Sequence, residues 1–281
     1  MTLTELLSTE VPRSAPLGRL LGSELRWVLR RPRTLVLLGV FALIPVLIAI
    51  GVAVGDRSAP GLIGAIAGNG LVLPVAAMTI ALALLLPLAV AMAAADAIAG
   101  ESAQGTLRGL MISPVSRLRL VVMKAFGVLV VATLATLAIA VVGVLAGLIV
   151  VGTPDGQLVT LSGSTVSWGG ALARVGLVVV WTIGQLVAVG AVALAISAVT
   201  EHPLVVLAAV LGGLIVFGVL SAIPALEWLQ PYLLTTGWRA GADALRDPLP
   251  TDGLVEATVR AGCYLLLGGG LTVLRMLRRD A

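Results

Sequence analysis

Six apolar runs, each long enough to cross a bilayer, punctuate this sequence. They lie near Thr34–Gly55, Leu71–Ala95, Leu120–Val151, Leu172–Val199, Leu204–Ala222 and Val259–Leu274. Crossing about 30 Å of hydrocarbon takes roughly 20 helical residues, and no water is available there to satisfy exposed backbone groups. Because the runs lack the alternation of barrel strands, α-helices are the reading that remains. Composition agrees: 59% of the residues are hydrophobic and 11% are charged, whereas roughly a quarter of an ordinary soluble chain is charged. The expected fold class is an all-α membrane protein with six transmembrane helices.

The net charge of +4 sits beside the apolar runs, so it reads as a topology signal and not as a nucleic-acid surface. With the N-terminus inside, inner segments hold 13 of the 18 Lys and Arg residues. Both termini are therefore expected in the cytoplasm, with the chain multi-pass in the inner (plasma) membrane. The division is a cytoplasmic N-terminus over 1–33, a six-span domain over 34–274 and a cytoplasmic tail over 275–281.

Three stretches outside the runs carry information. From Pro16 to Arg31, Leu17, Leu20, Leu21, Leu25, Val28 and Leu29 fall on one helical stripe, opposite Arg19, Ser23, Arg26 and Arg30. That pattern predicts an amphipathic helix on the inner leaflet, with membrane lipids as its partner. The loop over 100–119 is the longest inner connection; Leu107, Leu110 and Met111 share a helical face that Pro114 ends. The outer segment over 223–257 is apolar but broken by Pro224, Pro231, Pro248 and Pro250, and reads as short interfacial or re-entrant helices. Its Trp228, Tyr232 and Trp238 suit the headgroup level. The turn Thr200-Glu201-His202-Pro203 makes a tight hairpin between the fourth and fifth runs.

Much chemistry is excluded. The single lysine, Lys124, follows Met123, so the chain has no Gly-Lys pair for a phosphate-cradling loop. One histidine, His202, and one cysteine, Cys263, build neither a metal cage nor a nucleophile pair. No catalytic residue, metal or bound cofactor is expected. The middles of the runs carry mild polar groups such as Thr79 and Gln185, candidates for a cargo path, in place of the buried charges that couple ions. An intramembrane enzyme lacks a converging cluster, and a plain anchor or sensor does not explain six spans with a patterned loop. Energy must come from another chain.

Leaving the second run, the chain reads Ala99-Gly100-Glu101-Ser102-Ala103-Gln104-Gly105-Thr106-Leu107-Arg108-Gly109-Leu110. It continues Met111-Ile112-Ser113-Pro114-Val115-Ser116-Arg117, with Lys124 at the head of the third run. This resembles the permease subunits of the type-2 ATP-binding-cassette exporters, whose Glu, Gly-Thr-Leu, Pro-Val-Ser-Arg and later Lys mark the same loop. The span count, N-terminal amphipathic helix and outer helical segment match as well. Arg108 stands where that family often has an acid, and Gly100 where it often has a base.

The resemblance implies that the loop forms a coupling helix that inserts into a cleft of a separate ATP-binding subunit. Two copies of that subunit, carrying ATP and Mg, would serve two permease chains, identical or sister. It further implies export of a lipophilic or amphipathic cargo such as a drug, antibiotic or lipid. A lipid-linked glycan, or a role in cofactor or metalloenzyme assembly, is the alternative of the same architecture. Second and fifth spans would line the central dimer cleft. The coupling residues are then Glu101, Gly105, Thr106, Leu107, Leu110, Met111, Pro114 and Arg117. Glu101 is expected to pair with an arginine or cap the next helix, and Arg117, Arg119 and Lys124 to meet the anionic surface.

Overall fold

A computed structural model describes residues 17–55, 62–103, 116–152 and 158–278. The coupling-loop positions Gly105, Thr106, Leu107, Leu110, Met111 and Pro114 lie outside the described residues. The described elements are α1 (Leu17–Arg30), α2 (Pro32–Val54), α3 (Leu62–Gly68), α4 (Leu73–Leu82), α5 (Leu85–Ala103) and α6 (Arg117–Val151). There follow a small β1–β2 pair (Leu158–Val159 with Thr165–Val166), α7 (Trp168–Ser197), α8 (Pro203–Ala222), α9 (Ala240–Asp243) and α10 (Asp252–Arg278). Six of these helices, α2, α5, α6, α7, α8 and α10, are long and apolar enough to span a membrane. The protein is an all-α membrane protein.

The second run differs from the continuous helix expected over Leu71–Ala95. Leu84 leaves helical geometry (φ −150°, ψ −50°), which divides α4 from α5. Pro87 is the cause: it has no N–H to give the Ala83 carbonyl, and its ring crowds the preceding turn. The last run also starts earlier than expected, at Asp252, because the acid begins the helix well before its apolar stretch. Residues 252–257, expected in the outer segment, therefore belong to α10. What remains of that segment is two 3₁₀ stretches, Pro224–Tyr232 and Leu234–Arg239, leading into α9. Trp228 and Tyr232 are exposed there, whereas Trp238 is buried within the protein. The next-door backbone explains it: Gly237 lies against Ala257 of α10, which draws the 3₁₀ turn inward.

Small residues set the closest contacts, as Gly143-Val-Leu-Ala-Gly147 predicts. A Cβ on Gly147 would stand 2.1 Å from the Gly70 carbonyl oxygen, and one on Gly143 would stand 2.8 Å from Pro74 Cα. The α4–α5 crossing thus runs antiparallel to α6, with Gly70 meeting Gly147 at one end and Glu101 meeting Lys124 at the other. Gly268 fits against the Ala191 backbone in the same way, joining α10 to α7. Gly184, Gly212, Gly213, Gly269 and Gly270 have open space instead.

At the end carrying the β pair, Arg174 binds the Ala244 and Arg246 carbonyls and pairs with Asp247 at 2.9 Å. Ser164 donates to Asp247 as well, so this end is tied by polar contacts.

Candidate functional site

The opposite end, from which residues 104–115 depart, brings together Glu24, Arg31, Arg33, Asp96, Glu101 and Lys124. The helix α1 turns Val28 and Glu24 inward and leaves Ser23, Leu25, Arg26 and Leu29 exposed. Glu24 therefore occupies the stripe expected to be apolar. It is accommodated because Gly127 of α6 has no side chain; a Cβ there would sit 3.0 Å from Glu24 Oε1.

Between Glu24 and Glu101 lies Lys124. Its Nζ is 2.5 Å from Glu101 Oε1 and 3.9 Å from Glu24 Oε1, and its side chain is 3% exposed. Lys124 thus belongs to the protein interior and not to the membrane surface where it was expected; the two carboxylates supply the counter-charge that makes its burial tolerable. Glu101 pairs with this lysine. A second pairing stands beside the first: Arg31 and Arg33 approach Asp96 Oδ2 at 3.4 and 3.7 Å. A cavity of 60 Å³ between the two pairings is lined by Glu24, Arg31, Arg33, Asp96, Lys124 and Gly127. That volume admits water.

A π turn over Asp96–Gly100 makes this arrangement possible. In a continuous α-helix, Asp96 and Glu101 would point about 140° apart. The wider turn brings both acids onto the face that meets α1, α2 and α6. Its backbone is held by Ser197 of α7, whose hydroxyl accepts from Ala99 N–H at 2.9 Å and donates to the Ala95 carbonyl at 3.5 Å.

Burial pushes the Glu24 carboxyl above its ordinary range; Lys124 pulls it back, Glu101 adds to the rise and Arg31 opposes it. Burial likewise lowers the Arg31 guanidinium, against which Asp96, Glu24 and Glu101 act, while Arg33 adds to the lowering. Both shifts have one origin, charge held away from solvent.

Of the expected coupling residues, the structure describes Glu101 and Arg117. Arg117 donates to the Leu277 carbonyl at 2.8 Å and to Met276 at 3.3 Å, tying the start of α6 to the end of α10. The two residues thus flank the loop, each anchored to a different part of the bundle. Thr79 donates to Val75 of its own helix, and Gln185 is buried with its amide donating to Ala257 of α10 at 3.4 Å. Glu24, Arg31, Ser197 and Gly127 were not singled out as site residues from the sequence.

Along α2, α5 and α8 runs an apolar groove of 720 Å³, with Val36, Val40, Leu88 and Leu204 on its walls and Arg33 and Asp96 at its charged end. The α8 helix contributes little to the core, with Val206 and Val210 its buried residues. The family model described as ABC-2 family transporter protein matches residues 19–237.

The chain belongs to this family.

It is an ABC transporter permease, the transmembrane subunit that associates with an ABC ATP-binding subunit and normally lacks an ATPase site of its own. The matched region takes in most of α1 and the whole node of Glu24, Asp96, Glu101 and Lys124. Comparison with curated proteins gives no match.

Proposed function

We propose that the permease forms half of the path of an ATP-driven exporter, and that the node of Glu24, Glu101 and Lys124 transmits motion from its ATP-binding partner. The observation that carries this reading is the position of Glu101. It sits where α5 runs into the loop and is joined to a buried cation on α6, which in turn faces α1. A push on the loop therefore reaches three helices through one ion-pair network. Arg117, at the loop's other end, passes the same push to α10. Rigid helices with two alternative arrangements, biased by a partner's closure, are the ordinary means of alternating access.

In this reading residues 100–119 form the coupling segment, with Gly105 and Thr106 turning the chain, Leu107, Leu110 and Met111 docking in the partner's cleft and Pro114 ending the helix. Two ATP-binding subunits hold ATP and Mg. A second permease, the same chain or a sister, completes the path in the inner (plasma) membrane, with both termini cytoplasmic. The sparsely buried α8 and its groove with α2 and α5 support a pairing face there, and its apolar walls support a lipophilic or amphipathic cargo: a drug, antibiotic or lipid. Thr79 and Gln185 are the polar residues proposed to tune that path.

The test is reconstitution of the permease with its ATP-binding subunit in liposomes, reading ATP hydrolysis and cargo movement together. Glu101→Gln is expected to leave assembly intact and to reduce cargo moved per ATP at least tenfold. Transport by the permease alone, or normal coupling in E101Q, would end the proposal.

A further inference from the structure

Between the ends of α7 and α10 lies a second groove, of 400 Å³, at the same end of the bundle as Lys124 and Arg117. Ile196 and Val199 form one wall; Leu271, Leu274, Arg275 and Arg278 form the other. The four α10 residues stand at i, i+3, i+4 and i+7, a single helical stripe. Its apolar half points toward the middle of the span and its basic half toward the helix end. Leu271 to Arg278 covers about 10 Å along the axis, at roughly 1.5 Å per residue. Leu271, Leu274 and Val199 are exposed, so the groove opens sideways to hydrocarbon.

The two arginines are among the cations that the fold leaves without an acid. Arg31 and Arg33 share Asp96, and Arg174 has Asp247. Among the described residues, Arg275 and Arg278 form no ion pair or hydrogen bond. Their place in the last turn of α10 suits the helix dipole, but the Met276 and Leu277 carbonyls are already met by Arg117, which leaves both guanidiniums available to a ligand. Two adjacent guanidiniums above an apolar slot are complementary to a ligand with an anionic head and a long apolar body.

We propose that this groove is a site for one anionic phospholipid, its phosphate bridging Arg275 and Arg278 and an acyl chain lying along Leu274, Leu271, Ile196 and Val199. A phospholipid satisfies both halves of the stripe, whereas a second permease chain would have to bring buried acids to it. The lipid braces α7 against α10 beside the Arg117 anchor, at the loop end of the bundle. Supply from the inner leaflet rests on the inward orientation proposed above. Binding in mixed micelles does not depend on that orientation, so the two ideas fail separately.

The experiment is native mass spectrometry of the purified full chain in detergent with phosphatidylglycerol or phosphatidylcholine added in equal amounts. The wild-type chain is expected to retain one phosphatidylglycerol in preference to phosphatidylcholine. Arg275→Gln with Arg278→Gln should lose that preference, with affinity for phosphatidylglycerol falling at least tenfold. Leu271→Trp, which fills the slot and keeps both charges, should weaken retention as well. Arg239→Gln, exposed at the opposite end, serves as the control and should bind as wild type. Elution position and melting midpoint establish that each variant is folded. Unchanged retention in the folded double arginine variant overturns the site, and so does loss of an oligomer with no change in lipid. Unchanged retention in L271W reduces it to non-specific surface attraction and overturns it too.

Discussion

Lys124→Met removes the cation that stands between Glu24 and Glu101 while keeping an unbranched side chain in its place. The lysine is 3% exposed, and the Glu24 and Glu101 side chains are 10% and 14% exposed, so water compensates little for its loss. Removing one partner of a buried pair costs about 3–5 kcal/mol, because the other partner is left charged and alone. A chain of this size loses roughly 2–4 °C of melting midpoint per kcal/mol, which places the expected fall on the order of 10 °C. Combining K124M with Glu101→Gln should recover part of it, since Glu24 alone is then left as an uncompensated carboxylate. Acidification should help K124M more than the wild type, as the uncompensated carboxylates take up protons. Thermal unfolding of the permease in detergent, followed by size-exclusion fluorescence, reads all three. A K124M midpoint within about 2 °C of the wild type, or a double variant no better than the single one, would refute the ion-pair reasoning.

Other perturbations probe separate links. Glu24→Gln tests the raised carboxyl: the folded state holds that proton more tightly than the unfolded chain, so Glu24 contributes a penalty that grows as pH rises from 4.5 through its folded value. Wild-type stability should therefore fall relative to E24Q across that window, and a constant difference from pH 4 upward would contradict the burial. Gly147→Ala places a Cβ against the Gly70 carbonyl, 2.1 Å away before relaxation. Forcing α4 from α6 should cost about 1–3 kcal/mol in the same melting assay, and an unchanged midpoint would show that the helices do not meet there. Ser197→Ala removes the hydroxyl that serves the π turn, with an expected cost of about 1 kcal/mol and weaker ATP-to-cargo coupling as Glu101 loses its aim. Normal coupling in S197A would detach the π turn from transmission.

The spans were legible because run length alone identifies a bilayer-crossing helix. The break at Leu84 was not, since an apolar run shows no boundary where Pro87 interrupts the hydrogen bonding. Lys124 illustrates a second limit. Read as a charge beside a span, it belongs at the surface; in three dimensions two carboxylates from other helices enclose it. The signal was nonetheless present: Glu24 lies on the apolar stripe between Leu21 and Val28, and a buried stripe position carrying an acid demands a cation. The small-residue pattern at Gly143 and Gly147 was readable because close packing requires it, while its partners Pro74 and Gly70 depended on the fold. The loop motif at Glu101 carried the family, but the π turn that aims Glu101 is held by the hydroxyl of Ser197, far away in sequence.

In the proposed complex the ATP-binding partner engages the loop that begins at Glu101. Single cysteines at Leu107 and Leu110, with Cys263 replaced by serine, allow this to be measured by cross-linking in the assembled complex. A control cysteine at Ser162 marks the opposite end of the bundle. Leu107 and Leu110 are expected to cross-link to the ATP-binding subunit with a yield that changes with ATP, and Ser162 is expected to give none. Cross-links from Ser162 alone, with the loop positions silent in an active complex, would contradict that engagement.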